Sequence, residues 1–344
     1  MSVDRDPTAT AVARELSDAA PPAVLHAIIN PAAGGGRAGR RWPAFSAALA
    51  RHGYLIEAHF TRGAGDATTI ARELACATTH TLVCVGGDGT LNEIVNGLLD
   101  DSGPISSTTR LAVIPCGTGK DFARSLGIRN LELALRALDL GFVAEVDVAR
   151  ITCVDSRSGV AMTRYFVNVA DAGVGAETAA RVNASSKVLG GLVSYLSGAV
   201  RTIASFDFRD ATIEVDGVEI FSGKAGMVVF ANGRYFAGGM AIAPDASICD
   251  GLLDVFVLED VGKRALLTSL LPRVYRGKHV GQPGVLHQRG ARATVHSREP
   301  LLLEMDGEQV GQAPLSVELL PRALRVIGLE PALALVGGCA GASQ

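Results

Sequence analysis

The chain has 344 residues, 48% of them hydrophobic and 19% charged, with a net charge of −3. That length fills two ordinary domains with complete cores, and the composition excludes an intrinsically disordered chain. No Lys/Arg block is long enough for a nucleic-acid surface, and no run reaches the ~18–20 apolar residues of a membrane-spanning helix.

Residues 1–22 hold acids and no continuous apolar block, so they read as a disordered leader rather than a secretion signal. Strand and helix patterns then alternate. "AVLHAII" (23–29) is a strand, broken by "NPAAGGGRAGR", and "AFSAALARHG" is a helix closing on Gly53. "YLIEAHF" is a strand, and "DATTIARELACAT" a helix with Asp66 as its N-cap. "TLVCVGG" leads into the helix "TLNEIVNGLLD", and "RLAVIPC" into "GKDFARSLG" and "LELALRALDLG". Apolar strands alternating with helices predict a parallel sheet covered on both faces, with ligands where strand C-termini meet helix N-termini. This α/β domain is expected over 23–143.

The texture then turns to β. "EVDVARITCV", "TRYFVNVADAG", "ATIEVDGVEIFSG", "KAGMVVFAN", "LLDVFVLED", "ARATVHS" and "LLLEMDGEQVG" read as strands, with a hairpin signal at Asp216-Gly217. Helical stretches are expected at 176–204 and 262–276. A mostly antiparallel β-sandwich domain is predicted over 144–320. A last strand over 321–330 has a pattern compatible with return to the first domain, and 331–344 read as a disordered tail. The six cysteines have no C-x-x-C pair and several lie in apolar runs, which favours reduced thiols and a cytoplasmic setting.

The segment "LVCVGGDGTLNEIVNGLL" (82–99) poses the chemical question. Glycines between a buried strand and a helix suit a phosphate, since the helix N-terminus offers free N–H groups. Yet Asp88 stands in the same turn, and like charges repel. A nucleotide polyphosphate with Mg²⁺ reconciles the two, because a carboxylate holds Mg²⁺ directly or through water. A plain tight turn with a capping Asp is the bland alternative. The Walker A motif fails, because Gly119-Lys120 is followed by Asp121 and Ile114 takes the first glycine position. The Rossmann fingerprint fails because the next glycine after Gly89 is Gly97. The seven histidines show no zinc-motif spacing.

"GGDGTLNEIVNGL" (86–98) resembles the nucleotide loop of the diacylglycerol kinase catalytic-domain family, in particular bacterial soluble lipid kinases. Sphingosine kinases are similar, and NAD kinases and 6-phosphofructokinases more distantly so. "NPAAGGG" (30–36), "TRGAGDA" (61–67), "PCGTGKDFAR" (115–124), "APDASICDGLLDV" (243–255) and "MDGEQVGQAPLSVELLPRALRV" (305–326) match further family blocks in order, so the resemblance covers 24–329. It implies a nucleotide-binding α/β domain of the phosphofructokinase/NAD kinase type followed by a β-sandwich, with the active site between them.

By this resemblance Asn30, Pro31, Ala32, Ala33, Gly34, Thr61, Gly86, Gly87, Asp88, Gly89, Thr90, Leu91, Asn92, Glu93, Gly117 and Thr118 form the ATP site. Asp306 is the general base that takes the acceptor hydroxyl's proton; read alone, Asp306-Gly307 is a hairpin turn. A second Mg²⁺ falls on Ser247, Asp250 and Leu252, with Ser247 and Leu252 acting through carbonyls. Lys120 replaces the family's usual Asn. It either contacts phosphate or displaces a group that orients Asp121. The implied activity is an ATP- and Mg²⁺-dependent lipid kinase acting on diacylglycerol or a related lipid. It is cytoplasmic and peripherally membrane-associated, and dimerisation is allowed by the family. The apolar stretch 186–206 reads as core or as a border of the lipid cleft. Arg181, Lys187, Arg264, Arg273, Arg276 and Lys278 are dispersed cations that could meet headgroups. The alternatives are a kinase of a soluble metabolite such as NAD, and a catalytically silent nucleotide- or lipid-binding protein.

Overall fold

A computed structural model describes residues 23–77, 81–184 and 191–329; the expected leader and tail, and Lys187, lie outside them. The first half consists of β1 (Val24–Ile29), α1 (Ala33–Arg51), β2 (Leu55–Phe60), α2 (Asp66–Ala77), β3 (Thr81–Gly86), α3 (Asp88–Leu98), the two-residue pair β4 (Leu99–Asp100) and β5 (Gly103–Pro104), β6 (Arg110–Pro115), α4 (Asp121–Ser125) and α5 (Leu131–Leu140). Strands β6, β3, β1 and β2 lie side by side in parallel register. Every residue of β3 is buried, the signature of a strand covered on both faces.

Helix α1 begins well before the predicted 44–53. Ala38, Trp42, Phe45 and Leu49 recur at helical spacing on its buried face, which holds Pro43 inside the helix against that residue's propensity. Its first turn is not regular: Gly34, Gly35 and Gly36 are all left-handed, with φ of 63°, 68° and 81°. The expected Gly53 does follow the last helical turn, with φ 85°. Asp66 departs from its expected capping role: its carboxylate turns back to accept the Arg62 N–H at 2.6 Å. The N-terminus of α2 is met instead by Glu93, which accepts the Ala67 N–H at 3.2 Å.

The second half comprises β7 (Val143–Val154), β8 (Ala161–Phe166), β9 (Val169–Gly173), α6 (Val174–Ala184), α7 (Gly191–Ser205), β10 (Arg209–Val215), β11 (Val218–Ala231), β12 (Leu253–Glu259), a composite helix made of α8 (Lys263–Ala265), a π turn (Leu266–Leu270) and α9 (Leu271–Val274), then β13 (Val285–Gly290), β14 (Arg292–Ser297), β15 (Leu302–Met305) and β16 (Glu308–Ile327). "TRYFVNVADAG" therefore splits into two strands. At the break, the Asn168 side chain donates to Tyr235 O at 2.6 Å while the Asn168 backbone carbonyl accepts the Asn232 and Gly233 N–H groups. The expected helical stretch 176–204 is helical where it is described, in α6 and α7.

Strands pair antiparallel throughout this half. Strand β16 runs antiparallel to β7, β14 and β15, then pairs parallel with β6 through Arg325↔Arg110 and Val326↔Leu111. One 14-stranded sheet results. Val326 and Ile327 pack in the same core as Ile28, Val83 and Leu111. No helix among the described residues is long and apolar enough to cross a membrane. Cys84, Cys116 and Cys153 are buried free thiols and Cys76 an exposed one, whereas Cys249 is disulfide-bonded, contrary to the expectation of reduced thiols.

Helices α2 and α3 cross at Gly97, where a Cβ would stand 2.3 Å from Thr68 O and 2.8 Å from the Ala71 methyl. Close backbone approach, not flexibility, requires a glycine there. Gly97→Val is expected to lower unfolding stability by about 1–3 kcal/mol, read as a lower urea midpoint at unchanged slope. An unchanged midpoint would refute this packing.

Candidate active site

Parallel strands deliver their C-terminal ends to one edge of a sheet. Here β1 leads straight into Asn30, β2 into Thr61, β3 into Gly87 and β6 into Cys116, so four of the predicted nucleotide blocks meet on that edge. Asn30 Nδ2 donates to Thr90 Oγ1 at 3.1 Å, and its Oδ1 accepts the Ala32 N–H at 3.1 Å. The Thr61 N–H donates to Ile29 O at 2.9 Å. Gly87 and Gly117 pass so closely that a Cβ on Gly117 would be 2.3 Å from Gly87 Cα. A Cβ on Gly34 would be 2.3 Å from Cys116 O, so three glycine blocks touch. Thr118 lies exposed beside them.

Cations complete this edge. Arg37 donates to Gly34 O at 3.1 Å and to Gly117 O at 3.4 Å, and Arg40 to Gly35 O at 3.1 Å. Arg41, Lys120 and Arg37 all act on the Cys116 thiol, opposing the upward push of burial. Packed glycine backbone ringed by guanidinium groups and an ammonium is suited to phosphate oxygens. Sequence reading missed Arg37, Arg40 and Arg41, although "GGGRAGRR" places them directly after the glycines.

Asp88 faces inward. Its two carboxylate oxygens accept the Asp121 N–H at 3.1 and 3.2 Å, and Asp121 Oδ2 accepts the Gly238 N–H at 2.7 Å. Asp121 thus bridges the glycine turn and a loop of the second half, a role the motif left open. Burial, then the charge of Asp121, push the Asp88 carboxyl up to about 6. Burial also raises Asp121. Two acids held this close fit a hard divalent cation, whose charge removes their repulsion.

Three members of the predicted nucleotide set make their contacts elsewhere. Leu91 sits in the core and spends its N–H on Gly87 O at 3.0 Å; it backs the turn without lining it. The Glu93 carboxylate is committed to the N-terminus of α2. Asn92 points toward the second half: its Nδ2 donates to Asp306 Oδ2 at 2.8 Å and to Tyr165 O at 3.0 Å. Asn96, one helical turn on, grips both the N–H and the carbonyl of Tyr165 at 3.0 and 2.8 Å.

Asp306 occupies a tight turn with φ 47°, and its Oδ1 also accepts the Val169 N–H at 3.3 Å. Glu308, two residues on, reaches back to the nucleotide turn, where a Cβ on Gly89 would be 3.1 Å from its Oε1. Burial pushes the Asp306 carboxyl up to about 7; the Asn92 amide pulls against this and the charge of Asp88 adds to it. A carboxylate with that affinity for protons is matched to base chemistry near neutral pH.

Behind Asp306 lie two more acids. Glu304 on β15 stands opposite Asp171 on β9, and both are almost wholly buried. Asp171 Oδ2 and Glu304 Oε1 are buried with no other hydrogen-bond partner among the described residues, so a proton held between the two carboxyls would serve both. Asp171 also accepts the Ala176 N–H at 2.9 Å at the start of α6, and Glu304 accepts from the Gly307 N–H. Burial first, then Asp171 and Asp306, raise Glu304 well above the carboxylate range, so Glu304 is the protonated partner. The result is a rigid link from the Asp306-Gly307 turn to α6.

That helix borders an apolar cavity. Val174 and Gly175 of α6, Ile203 of α7, Phe256 of β12, and Leu266 and Leu270 of the π turn line its walls. Of its polar groups, Thr178 Oγ1 donates to Val174 O at 2.7 Å and His279 Nε2 bonds Ile242 O at 2.9 Å. The predicted metal set lies on the 247–252 loop. Ser247 is buried, the Leu252 N–H donates to Asp250 Oδ1 at 3.1 Å, and the other Asp250 oxygen is ion-paired with Arg289. Asp147, unflagged in the sequence, anchors that loop by accepting the Gly251 N–H at 2.8 Å and the Arg322 N–H at 2.8 Å.

Two family models match the chain: the diacylglycerol kinase catalytic domain over residues 24–151 and the YegS C-terminal NAD kinase beta sandwich-like domain over 168–328. A diacylglycerol kinase of Bacillus subtilis (strain 168) is 31% identical over 80% of this chain and 86% of the relative. One from Staphylococcus aureus (strain MRSA252) is 29% identical over 87% and 90%. The crystal structure of a diacylglycerol kinase from Bacillus anthracis str. Sterne is similar with a TM-score of 0.69 at 28% identity, over 90% of this chain and 97% of that one. Yeast NADH kinase complexed with NADH shares the fold at a TM-score of 0.51 and 11% identity, over 94% and 90%.

Asp88, Asp171, Glu304 and Asp306 all bind protons more tightly folded than unfolded. Their contribution to stability is therefore full below the ordinary carboxylate range and is lost as pH rises, through about 6 to 7 for Asp88, Asp171 and Asp306, with Glu304 acting in the same direction. The thermal midpoint without divalent cations is expected to fall between about pH 5 and pH 8. Glu304→Gln, which supplies an uncharged donor at the same position, should flatten part of that fall. A midpoint that rises across this window, or a Glu304→Gln protein that fails to fold, contradicts the protonated assignment.

Proposed function

The chain belongs to the diacylglycerol kinase catalytic-domain family, and on that premise we propose that it transfers the γ-phosphoryl group of ATP to a hydroxyl of diacylglycerol or a related lipid. The observation that carries this reading is the 2.8 Å hydrogen bond from Asn92, on the nucleotide side, to Asp306, on the strand edge leading to the apolar cavity. It sets a carboxylate of raised proton affinity beside the glycine edge. The acyl chains occupy the cavity beneath α6 and α7, and the glycerol hydroxyl emerges toward Asp306.

In the reaction the acceptor oxygen forms a bond to the γ-phosphorus, the bond from that phosphorus to the β–γ bridging oxygen breaks, and ADP leaves. The acceptor's proton passes to an Asp306 oxygen. Asn92 keeps that carboxylate aimed, and Arg37, Arg41 and Lys120 hold phosphate oxygens, so most of the acceleration comes from positioning and charge. Asp88 and Asp121 are the carboxylates that would hold a nucleotide-borne Mg²⁺, which would neutralise phosphate charge.

The composite helix supports contact with a lipid surface. Leu266, Leu270, Leu271 and Val274 line the cavity, while Arg264, Arg273, Arg276 and Lys278 on or just after it are exposed. An apolar inner side with cations outside suits extraction of a neutral lipid from an anionic membrane.

Purified protein incubated with mixed lipids and γ-labelled ATP is expected to yield a labelled phospholipid. Label appearing only when NAD replaces lipid would overturn the reading in favour of a soluble acceptor. Asp306→Asn should stay folded and bind ATP while losing about two to four decades of turnover. In the unsubstituted enzyme kcat/KM should rise with pH to a plateau above about 7. Near-normal turnover by the variant removes Asp306 from the chemistry.

A further inference from the structure

Strand β1 reads Val-Leu-His-Ala-Ile-Ile, and its one polar side chain, His26, is buried. A histidine inside an apolar parallel strand needs a partner of matching chemistry. The register supplies one: His26 lies opposite Glu57 of β2, and His59 follows two residues along on the same face. His26 Nδ1 is 3.3 Å from Glu57 Oε2. The two imidazoles stack with centroids 5.7 Å apart and planes at 25°. One donor atom from each of His26, Glu57 and His59 lies within 4.8 Å of the others. His59 Nε2 is a buried nitrogen without a hydrogen-bond partner among the described residues.

We propose that His26, Glu57 and His59 bind one divalent transition-metal ion of the zinc class. Two neutral imidazoles and a carboxylate are a borderline donor set that zinc accepts with three protein ligands and an open fourth position, whereas magnesium favours oxygen alone. Bonds of about 2.0–2.2 Å to a tetrahedral ion place donors roughly 3.4 Å apart. The His26–Glu57 spacing already meets this, and small rotations of Glu57, exposed on an edge strand, and of His59 bring in the third donor. His52–Asp139 and His287–Asp254 are the other close His–carboxylate pairs, but neither forms a three-donor group among the described residues.

The site is distinct from the nucleotide edge but tied to it. Three residues after His26 the chain reaches Ile29 and then Asn30; two residues after His59 it reaches Thr61. An ion here clips edge strand β2 to β1 and fixes the two loops those strands present.

The test is titration of chelator-treated full-length protein with ZnCl₂ in calorimetry, with CoCl₂ and visible absorption as a spectroscopic check. One equivalent should bind, with the ligand-field bands of tetrahedral or five-coordinate Co²⁺, a raised thermal midpoint, and no displacement by millimolar Mg²⁺. His59→Ala and Glu57→Gln, at partly exposed and exposed positions, should each weaken binding at least tenfold while circular dichroism stays unchanged. Two outcomes overturn the proposal: no stoichiometric binding, with Glu57→Gln lowering the midpoint only at acid pH as for a plain His–Glu ion pair, or equal affinity in the His59→Ala protein. Neither readout involves phosphoryl transfer, so failure here leaves the kinase reading untouched.

Discussion

Strand β16 is the constraint on which the molecule's geometry hangs. It is paired with β7, β14 and β15 along most of its length, and at Arg325 and Val326 it joins β6. Backbone pairing is directional and fixes register, so one strand that joins the parallel and antiparallel parts of a continuous sheet sets the two halves against each other more firmly than surface contact does. The turn carrying Asp306 immediately precedes this strand. Its position relative to the nucleotide edge is therefore fixed by the same ladder that joins the two halves.

Charge within the junction follows a second logic. Asp88, Asp121, Asp171, Glu304 and Asp306 are all acids, drawn together from both halves, and burial raises every one of them. Backbone N–H groups of Asp121, Val169, Ala176, Gly238 and Gly307 hold individual oxygens in place. The opposing cations, Arg37, Arg41 and Lys120, stand around the glycine loops rather than on the acids. This separation of charge leaves room between them for a ligand that is itself anionic at one end and accompanied by a cation, as a metal-bound polyphosphate is. The acid pair of Asp171 and Glu304 lies behind Asp306; one proton shared between the two carboxylates leaves the pair a single negative charge, and the pair acts as a strut between the Asp306 turn and the wall of the apolar cavity.

Local signals made much of the first half legible. Apolar runs bounded by glycine mark β1, β3 and β6 because strands buried on both faces have no polar side to alternate with. The glycine blocks were visible because close packing admits no side chain, as at Gly87 and Gly117. Where the reading failed, tertiary contact outweighed local preference. Pro43 sits in α1 because Trp42 and Phe45 are packed, and "TRYFVNVADAG" breaks at Asn168, whose side chain and carbonyl are taken by the 232–235 loop. Glu93 also accepts an N–H at the start of a neighbouring helix, a contact that depends on how α2 and α3 cross.

By itself, then, the sequence determined the element types of the first half, the chemistry of its loops, and the presence of an acid in a glycine turn, since each is written in consecutive residues. Only the tertiary structure decided what those residues face. Asn92 and Asp306 are 214 positions apart, Asp171 meets Glu304 through strand register, and His26 meets His59 across two parallel strands. Hydrogen bonds and electrostatic forces act over a few ångströms of space, and no local pattern encodes which distant segments will close that gap.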